Sequence, residues 1–306
     1  MIQSPTPPGL AQPSRASRIE RWVALLTVFG PLVGLVIAVM LFWGRGVSWL
    51  HLGIGLAFYS VTLLGITLGF HRLFTHRSFA AVGWVRGALA IAGSMACQGP
   101  VLYWVACHRK HHRHSDHAGD PHSPHLAGTG ALGWLRGGWH AHVGWMLNHE
   151  PDNYFRLAPD LLRDRALMRI NRLYFVWVFA GILLPGLIAA AATRSWSGLW
   201  TGMVWGGLVR IFVVHHATWS VNSLCHLFGR SPFRTDDESR NNAVCALLTF
   251  GEGWHNNHHA FPTSARHGLR WWQIDATYLV IRLLSGMRLA WDIRLPDHAQ
   301  LAAKAA

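Results

Sequence analysis

Eight histidines stand in three short groups: His71 and His76 in GFHRLFTHRSF, His108, His111 and His112 in CHRKHHRHSD, and His255, His258 and His259 in GEGWHNNHHAFP. Each group lies beside an apolar stretch, where solvated histidines have no reason to collect. The chain holds 21 histidines, but enrichment alone would not produce the spacing HxxHH twice. Neutral imidazole is a ligand for iron, copper, zinc and nickel, and eight such groups exceed the about four that a tetrahedral zinc takes. Two metals are expected rather than one. Histidines at i, i+3 and i+4 occupy adjacent positions on one helical face, so one segment can offer several imidazoles to one centre. His71 and His76 differ: five residues are about 140° apart on a regular helix. That pair converges only where its helix ends or bends, or if the two ligate different ions. Metal-bound imidazoles hand their second N–H to a carboxylate or carbonyl, and Asp116, Asp120, Glu252 and Asp275 lie near the groups as candidates for that support. His114, His117, His122, His140, His142 and His149 read as supporting or solvated.

The elements that must position these groups are membrane helices. Hydrophobic residues make up 51%, aromatics 12% and charged residues 13% of the chain, and mean hydropathy is +0.21, a membrane-protein composition. Stretches of about 20 apolar residues predict spans at 22–43, 47–70, 173–192 and 196–219, the last interrupted by Arg210, His215 and His216 and expected to leave the membrane near Arg210. The expected architecture is an all-α membrane protein: four transmembrane helices in two hairpins, with a helical cap holding a histidine-rich di-metal site. Four spans put both termini and residues 71–172 on one side. Of the 27 basic residues only Arg45 and Arg194 fall in the short loops opposite, which predicts a cytoplasmic cap. Residues 82–106 are also apolar, and as a fifth span they would carry the second histidine group to the other face. Arg86, Gln98 and Pro100 argue against a span, and Trp84, Tyr103 and Trp104 suit an interfacial helix. The net charge of +13 is read as affinity for anionic headgroups or an acidic redox partner and not for nucleic acid. Cys97, Cys107, Cys225 and Cys245 form no CxxC pair and are expected as reduced thiols. Residues 1–18 read as a disordered tail and not a cleavable signal, 19–297 as one integral membrane domain, and 298–306 as a C-terminal tail.

GITLGFHRLFTHRSF, WVACHRKHHRHSD followed by GDPHSP, VNSLCHLFG and GEGWHNNHHAFP resemble the boxes of the membrane fatty-acid desaturase family, nearest to its delta-9, stearoyl-CoA type branch. The resemblance runs in order from Val61 to Arg294. It implies an oxygen-dependent desaturase that places a cis double bond, at delta-9, in a saturated acyl chain, with two iron ions, O2 as co-substrate and electrons from an external donor. It assigns the eight histidines as metal ligands, adds His226 as a ninth and brings Asn222 to the second metal through water. By analogy with the family's second span, Gly55 and Tyr59 close a substrate tunnel, of which Trp104 is a candidate wall. Ala106 and Cys107 stand where many animal acyl-CoA enzymes carry an Arg-Asp pair. The carrier is thus open among CoA, a lipid ester and a carrier protein. No fused cytochrome domain is expected, so the donor would be a ferredoxin or a cytochrome b5-like protein with its reductase. The implied location is a bacterial inner membrane with the active site and both termini in the cytoplasm.

Elementary chemistry agrees with that implication. An alkyl C–H bond has no acidic proton and no leaving group, so side-chain acids, bases and nucleophiles cannot activate it, and metal with oxygen must supply the oxidant. The protein's part is to hold two adjacent methylenes in a dry apolar tunnel beside the metals. A hydroxylase of the same superfamily would use the same ligands. A histidine-rich metal transporter would instead line its spans with ionisable residues at mid-membrane.

Overall fold

The computed structural model describes residues 15–42, 47–148 and 154–306, with side chains left aside at 15–20, 148 and 154. Residues 1–14 of the expected tail, Arg45 and His149 lie outside the described residues. Among the described residues, four helices are long and apolar enough to cross a membrane. They are α1 (Arg15–Phe42), α2 (Trp49–Leu64) continued by a π-helical segment Gly65–Thr75, and further along the chain Tyr174–Thr193 and Trp196–Leu227. Helix satisfies every backbone group internally, which is what a lipid surround demands. The starts of α2 and the last span are fixed by serine caps: the Ser48 hydroxyl accepts from His51 N–H and the Ser195 hydroxyl from Gly198 N–H. Helix α1 takes in residues 15–18, which the sequence reading placed in the tail.

Between the two hairpins lie α3 (Gly83–Ser94), α4 (Val101–His114), α5 (Gly130–Trp139) and α6 (Arg165–Arg172). The spans that follow are α7 (Tyr174–Thr193) and α8 (Trp196–Leu227), and the chain closes with α9 (Ala243–Leu248), α10 (His255–Ala260), α11 (Ala276–Gly286) and α12 (His298–Lys304). One two-stranded ribbon, β1 (Ala80–Ala81) antiparallel to β2 (Ala290–Trp291), ties the chain after the first histidine group to the segment after the last. Glycines let α3 meet the second span backbone to backbone: a Cβ on Gly65 would stand 2.1 Å from Gly93 N, and one on Gly93 only 2.4 Å from the Phe70 ring.

Three expectations are corrected. Residues 82–106 are two helices and not one: Cys97 and Gly99 take positive φ and Pro100 caps α4, so the chain turns between α3 and α4 and neither is long enough to span. The helix of the fourth span continues past Arg210 to Leu227, and Arg210 is buried inside the protein and not in water. Pro185 has no N–H to give the Gly181 carbonyl four residues back, and the Arg210 guanidinium donates to it at 2.6 Å, as well as to Met95 O at 2.8 Å and Gly206 O at 3.1 Å. The segment after Asp297 is a helix with a capping box, docked by Lys304, whose Nζ donates to Ala260 O at 2.7 Å at the end of α10.

Candidate metal centre

The three groups and His226 converge, and they sort into two clusters. His71, His76, His108, His112 and His258 place one ring nitrogen each within 4.8 Å of one another; His111, His226, His255 and His259 do the same. The clusters adjoin, with the His112 and His259 ring centroids 4.5 Å apart. Each HxxHH segment is divided between them. His108 and His112 share the first cluster while His111 turns to the second, and His255 and His259 share the second while His258 turns to the first. The sequence reading had one segment serving one centre. The i, i+4 pair does serve one, and the residue between faces the other.

The π-helical segment answers the geometric question posed by His71 and His76. A π-helix closes its hydrogen bonds at i+5, and His76 N–H donates to His71 O at 3.1 Å. Residues five apart therefore come one above the other, with ring centroids 4.8 Å apart. The Thr75 hydroxyl donates to Phe70 O at 2.8 Å, again across five residues. Arg109, from the second group, donates to Phe74 O at 2.8 Å and Thr75 O at 3.2 Å, satisfying carbonyls left open where the segment ends, and it reaches Asp160 Oδ1 at 2.6 Å. The last group sits on a helix of only six residues, and its two asparagines anchor it. Asn256 accepts from Phe233 N–H at 2.9 Å and donates to Phe233 O at 3.0 Å; Asn257 donates to His267 O at 2.7 Å and accepts from Asn241 at 2.6 Å.

Carboxylates stand behind the rings. Nδ1–H of His111 donates to Asp120 at 3.0 Å, that of His226 to Asp116 at 2.8 Å, that of His259 to Asp237 at 2.6 Å, and that of His71 to Glu252. Of the four carboxylates named from the sequence, Asp116, Asp120 and Glu252 meet clustered histidines, while Asp275 pairs with Arg72 and accepts from the His267 and Gly268 N–H groups. Asp237, Arg72 and His267 were missed. Arg72 is fully buried and donates through Nε and Nη2 to Glu252 at 3.1 and 2.8 Å, through Nη1 to Asp275 at 3.0 Å and to Ala265 O at 2.7 Å, so it ties the first histidine group to the last. Its signal was its place beside His71, since an Arg in a ligand box must find buried anions. His267 stands behind His258, ring centroids 4.5 Å apart, with Nδ1 3.5 Å from Glu252. Nothing local marks it.

The donor set fits a metal. Each carboxylate fixes the proton on Nδ1, which leaves Nε2 bare and aimed inward. Among the described residues, the buried Nε2 atoms of His76, His111 and His259 have no hydrogen-bond partner. His258 Nε2 lies 3.1 Å from His71 Nε2 and 2.9 Å from His112 Nε2, which is itself 3.0 Å from His108 Nε2; in the second cluster His255 and His226 approach at 3.1 Å. With metal–nitrogen bonds of about 2.1 Å, ligands to one ion stand about 3.0 to 3.4 Å apart, close to these approaches. Burial first, and the neighbouring imidazoles second, hold His76, His108, His112, His255, His258 and His259 well below the ordinary histidine value, which keeps them in the neutral, ligating form. Burial pushes the Asp116 carboxyl up, but His226 outweighs it and brings it down to about 2. Against the same upward push, His111 holds Asp120 and Arg72 holds Glu252 well below the carboxylate range.

Trp104 stacks on His108, centroids 5.0 Å apart, and meets Phe70 edge-on at 5.9 Å, which sets an apolar face against the first cluster. Tyr59 donates to Leu248 O at 2.5 Å and meets Phe250 edge-on at 6.0 Å. A Cβ on Gly55 would meet nothing within 4 Å, so it faces open space. Asn222 is half-buried, one turn ahead of His226 on α8. Of the histidines read as supporting or solvated, His122 is buried against His111, centroids 4.3 Å apart, His142 pairs with His216 at 3.0 Å, His117 contacts Ser115 O at 2.7 Å and His140 contacts Pro121 O at 3.2 Å. None of the four cysteines is in a disulfide.

Residues 47–291 match the family model described as fatty acid desaturase. The chain is 46% identical to a hex-5-enoyl-[acyl-carrier protein] acetylenase of Moorena producens, over 90% of this chain and 86% of that protein. It is 40% identical to an sn-1 stearoyl-lipid 9-desaturase of Anabaena variabilis over 91% and 96% of the two lengths, and 40% identical to one of Synechocystis sp. over 88% and 80%.

Proposed function

Because this chain belongs to the fatty acid desaturase family, we propose that it removes two hydrogens from adjacent methylenes of a saturated, lipid-bound acyl chain and leaves a cis double bond at delta-9. The observation that carries this reading is the convergence of nine imidazoles into two clusters on the ends of membrane helices and the loops between them. Two bound irons would supply dioxygen activation and an oxidant able to break an alkyl C–H bond. His71, His76, His108, His112 and His258 would hold one iron; His111, His226, His255 and His259 would hold the other, with Asn222 reaching it through water. Asp116, Asp120, Asp237 and Glu252 keep the proton on the outer nitrogen and orient the rings. Trp104 offers an apolar wall beside His108, and Tyr59 with Phe250 closes the far side of the chain's path, with Gly55 at its end. Two hydrogens leave the substrate, and two electrons from the donor with two protons complete the reduction of one dioxygen to two waters.

A lipid ester is favoured as carrier because Ala106 and Cys107 remove the charged pair expected for CoA, and two relatives are named as stearoyl-lipid enzymes. The donor is a ferredoxin or cytochrome b5-like protein with its reductase, docking on the basic histidine side, which faces the cytoplasm of a bacterial inner membrane. The acetylenase at 46% identity supports a second reading, removal of two further hydrogens from an alkene held on acyl-carrier protein. Expression in a host without a desaturase, supplied with saturated fatty acids in one culture and with a monounsaturated fatty acid in another, tests both. The first reading predicts a cis-9 monoene in the membrane lipids that disappears in His111→Ala. An acetylenic product on carrier protein selects the second, and a hydroxylated chain refutes both in favour of a hydroxylase.

A further inference from the structure

Outside the four spans the described residues present a second apolar face, drawn from three separate segments. On α9, Val244 and Leu247 are 69% and 72% exposed, and in the turn that follows α10, Trp271 is 92% and Ile274 66% exposed. Leu279 and Leu283 on α11 and Met287 at its C-terminal cap are exposed at i, i+4 and i+8, while Tyr278 and Ile281 on the opposite side are buried. An apolar face of this extent marks an interaction surface. Its level relative to the membrane follows from α2. Tyr59 lies about 15 Å along the helix from Trp49, half of a hydrocarbon core about 30 Å thick, and Thr67 about 27 Å along. The Tyr59 hydroxyl holds Leu248 O, at the end of α9, at 2.5 Å, and Thr67 and Thr277 hydroxyls meet at 2.9 Å at the start of α11. Both helices are thus bonded to the second span at or below the level where it leaves the hydrocarbon. The charge agrees. Between residues 266 and 288 stand Arg266, Arg270, Arg282 and Arg288, and the one acid, Asp275, is buried against Arg72.

The geometry points to a monotopic lipid-binding surface: α9, the Trp271 turn and α11 lie in the leaflet on the histidine side, with leucines and tryptophan among acyl chains and the arginines at anionic headgroups. The inference rests on the spans and not on the reaction. An acyl group would then reach the metal centre from this leaflet.

The test uses the full chain labelled with 5-fluorotryptophan, in nanodiscs of phosphatidylcholine and phosphatidylglycerol. The fluorine resonance missing in Trp271→Phe assigns Trp271. It should broaden with nitroxide-bearing lipid and stay sharp with a soluble gadolinium chelate. Broadening by the chelate would overturn the proposal by placing the turn in water, and protection from both probes would overturn it by placing a protein, such as a second copy, on the face. A nitroxide attached at Leu283→Cys gives an independent reading: collision with oxygen should exceed collision with a soluble nickel chelate, and the reverse order would contradict the assignment.

Discussion

Asp237 was invisible to sequence reasoning, and it gives the sharpest prediction. One carboxylate oxygen accepts from His259 Nδ1–H at 2.6 Å, and the other accepts from Ser239 N–H at 3.0 Å. Asp237→Ala removes the group that keeps His259 Nε2 bare. Loss of such a partner costs about 10- to 100-fold in metal affinity, or about 1.4 to 2.7 kcal/mol. Asp237→Asn should do no better. If its amide oxygen keeps the Ser239 bond, its NH2 faces His259 Nδ1, drives the proton to Nε2 and occupies the lone pair the metal needs, as the wrong tautomer does in a serine-protease triad. The effect should be largest in the cluster of His111, His226, His255 and His259, because the ring that Asp237 bonds, His259, belongs to it. The assay is metal content per chain during titration with a competing chelator. One ion should leave at a chelator concentration about 10- to 100-fold lower than in wild type, and the second should leave at the wild-type concentration. Equal retention of both ions in Asp237→Asn and wild type would refute the reasoning.

Three further outcomes are expected. Arg72→Leu leaves Glu252 and Asp275 buried without their shared cation and should cost about 3 to 5 kcal/mol, seen as a collapse of the detergent-solubilised melting temperature or of the folded yield. Gly93→Val drives a side chain into Phe70 and Gly65 O, so it should destabilise by about 1 to 3 kcal/mol, with the melting temperature as readout, whereas Gly55→Ala, which meets open space, should be neutral. Partial burial pushes the Asp160 carboxyl up, but Arg109 and Arg77 hold it well below the usual range. A depressed carboxyl contributes stability above its unfolded value near about 3.9 and loses it as pH falls toward the folded value. Asp160→Asn should therefore melt lower than wild type at pH 7, by about 1 kcal/mol after allowance for solvent exposure, and the gap should narrow below about pH 4.

The spans and histidine groups were legible because each is a local pattern: runs of apolar residues at 22–43 and 173–192, and ligand-bearing residue types at fixed offsets. What was not legible depended on partners far away in the chain. The pairing of His71 with His76 needs a π-helical segment, and the division of HxxHH between two clusters needs the facing group to be in place. Asp237 lies in a loop and His267 carries no local signature, whereas Asp116, Asp120 and Glu252 lie beside the boxes and were named. Arg210 was misread because its partner carbonyl, Gly181 O, is free only through the missing N–H of Pro185 on another span.

The most direct test of the central claim measures metal and oxygen in one sample: the purified chain in nanodiscs, with a reduced ferredoxin system and a stearoyl lipid, scored for iron per chain and for dioxygen consumed per double bond formed. The account predicts two irons and one dioxygen per double bond, with both product and oxygen uptake lost in His258→Ala and in His255→Ala. A double bond formed without oxygen, or full activity with either histidine replaced, would contradict it.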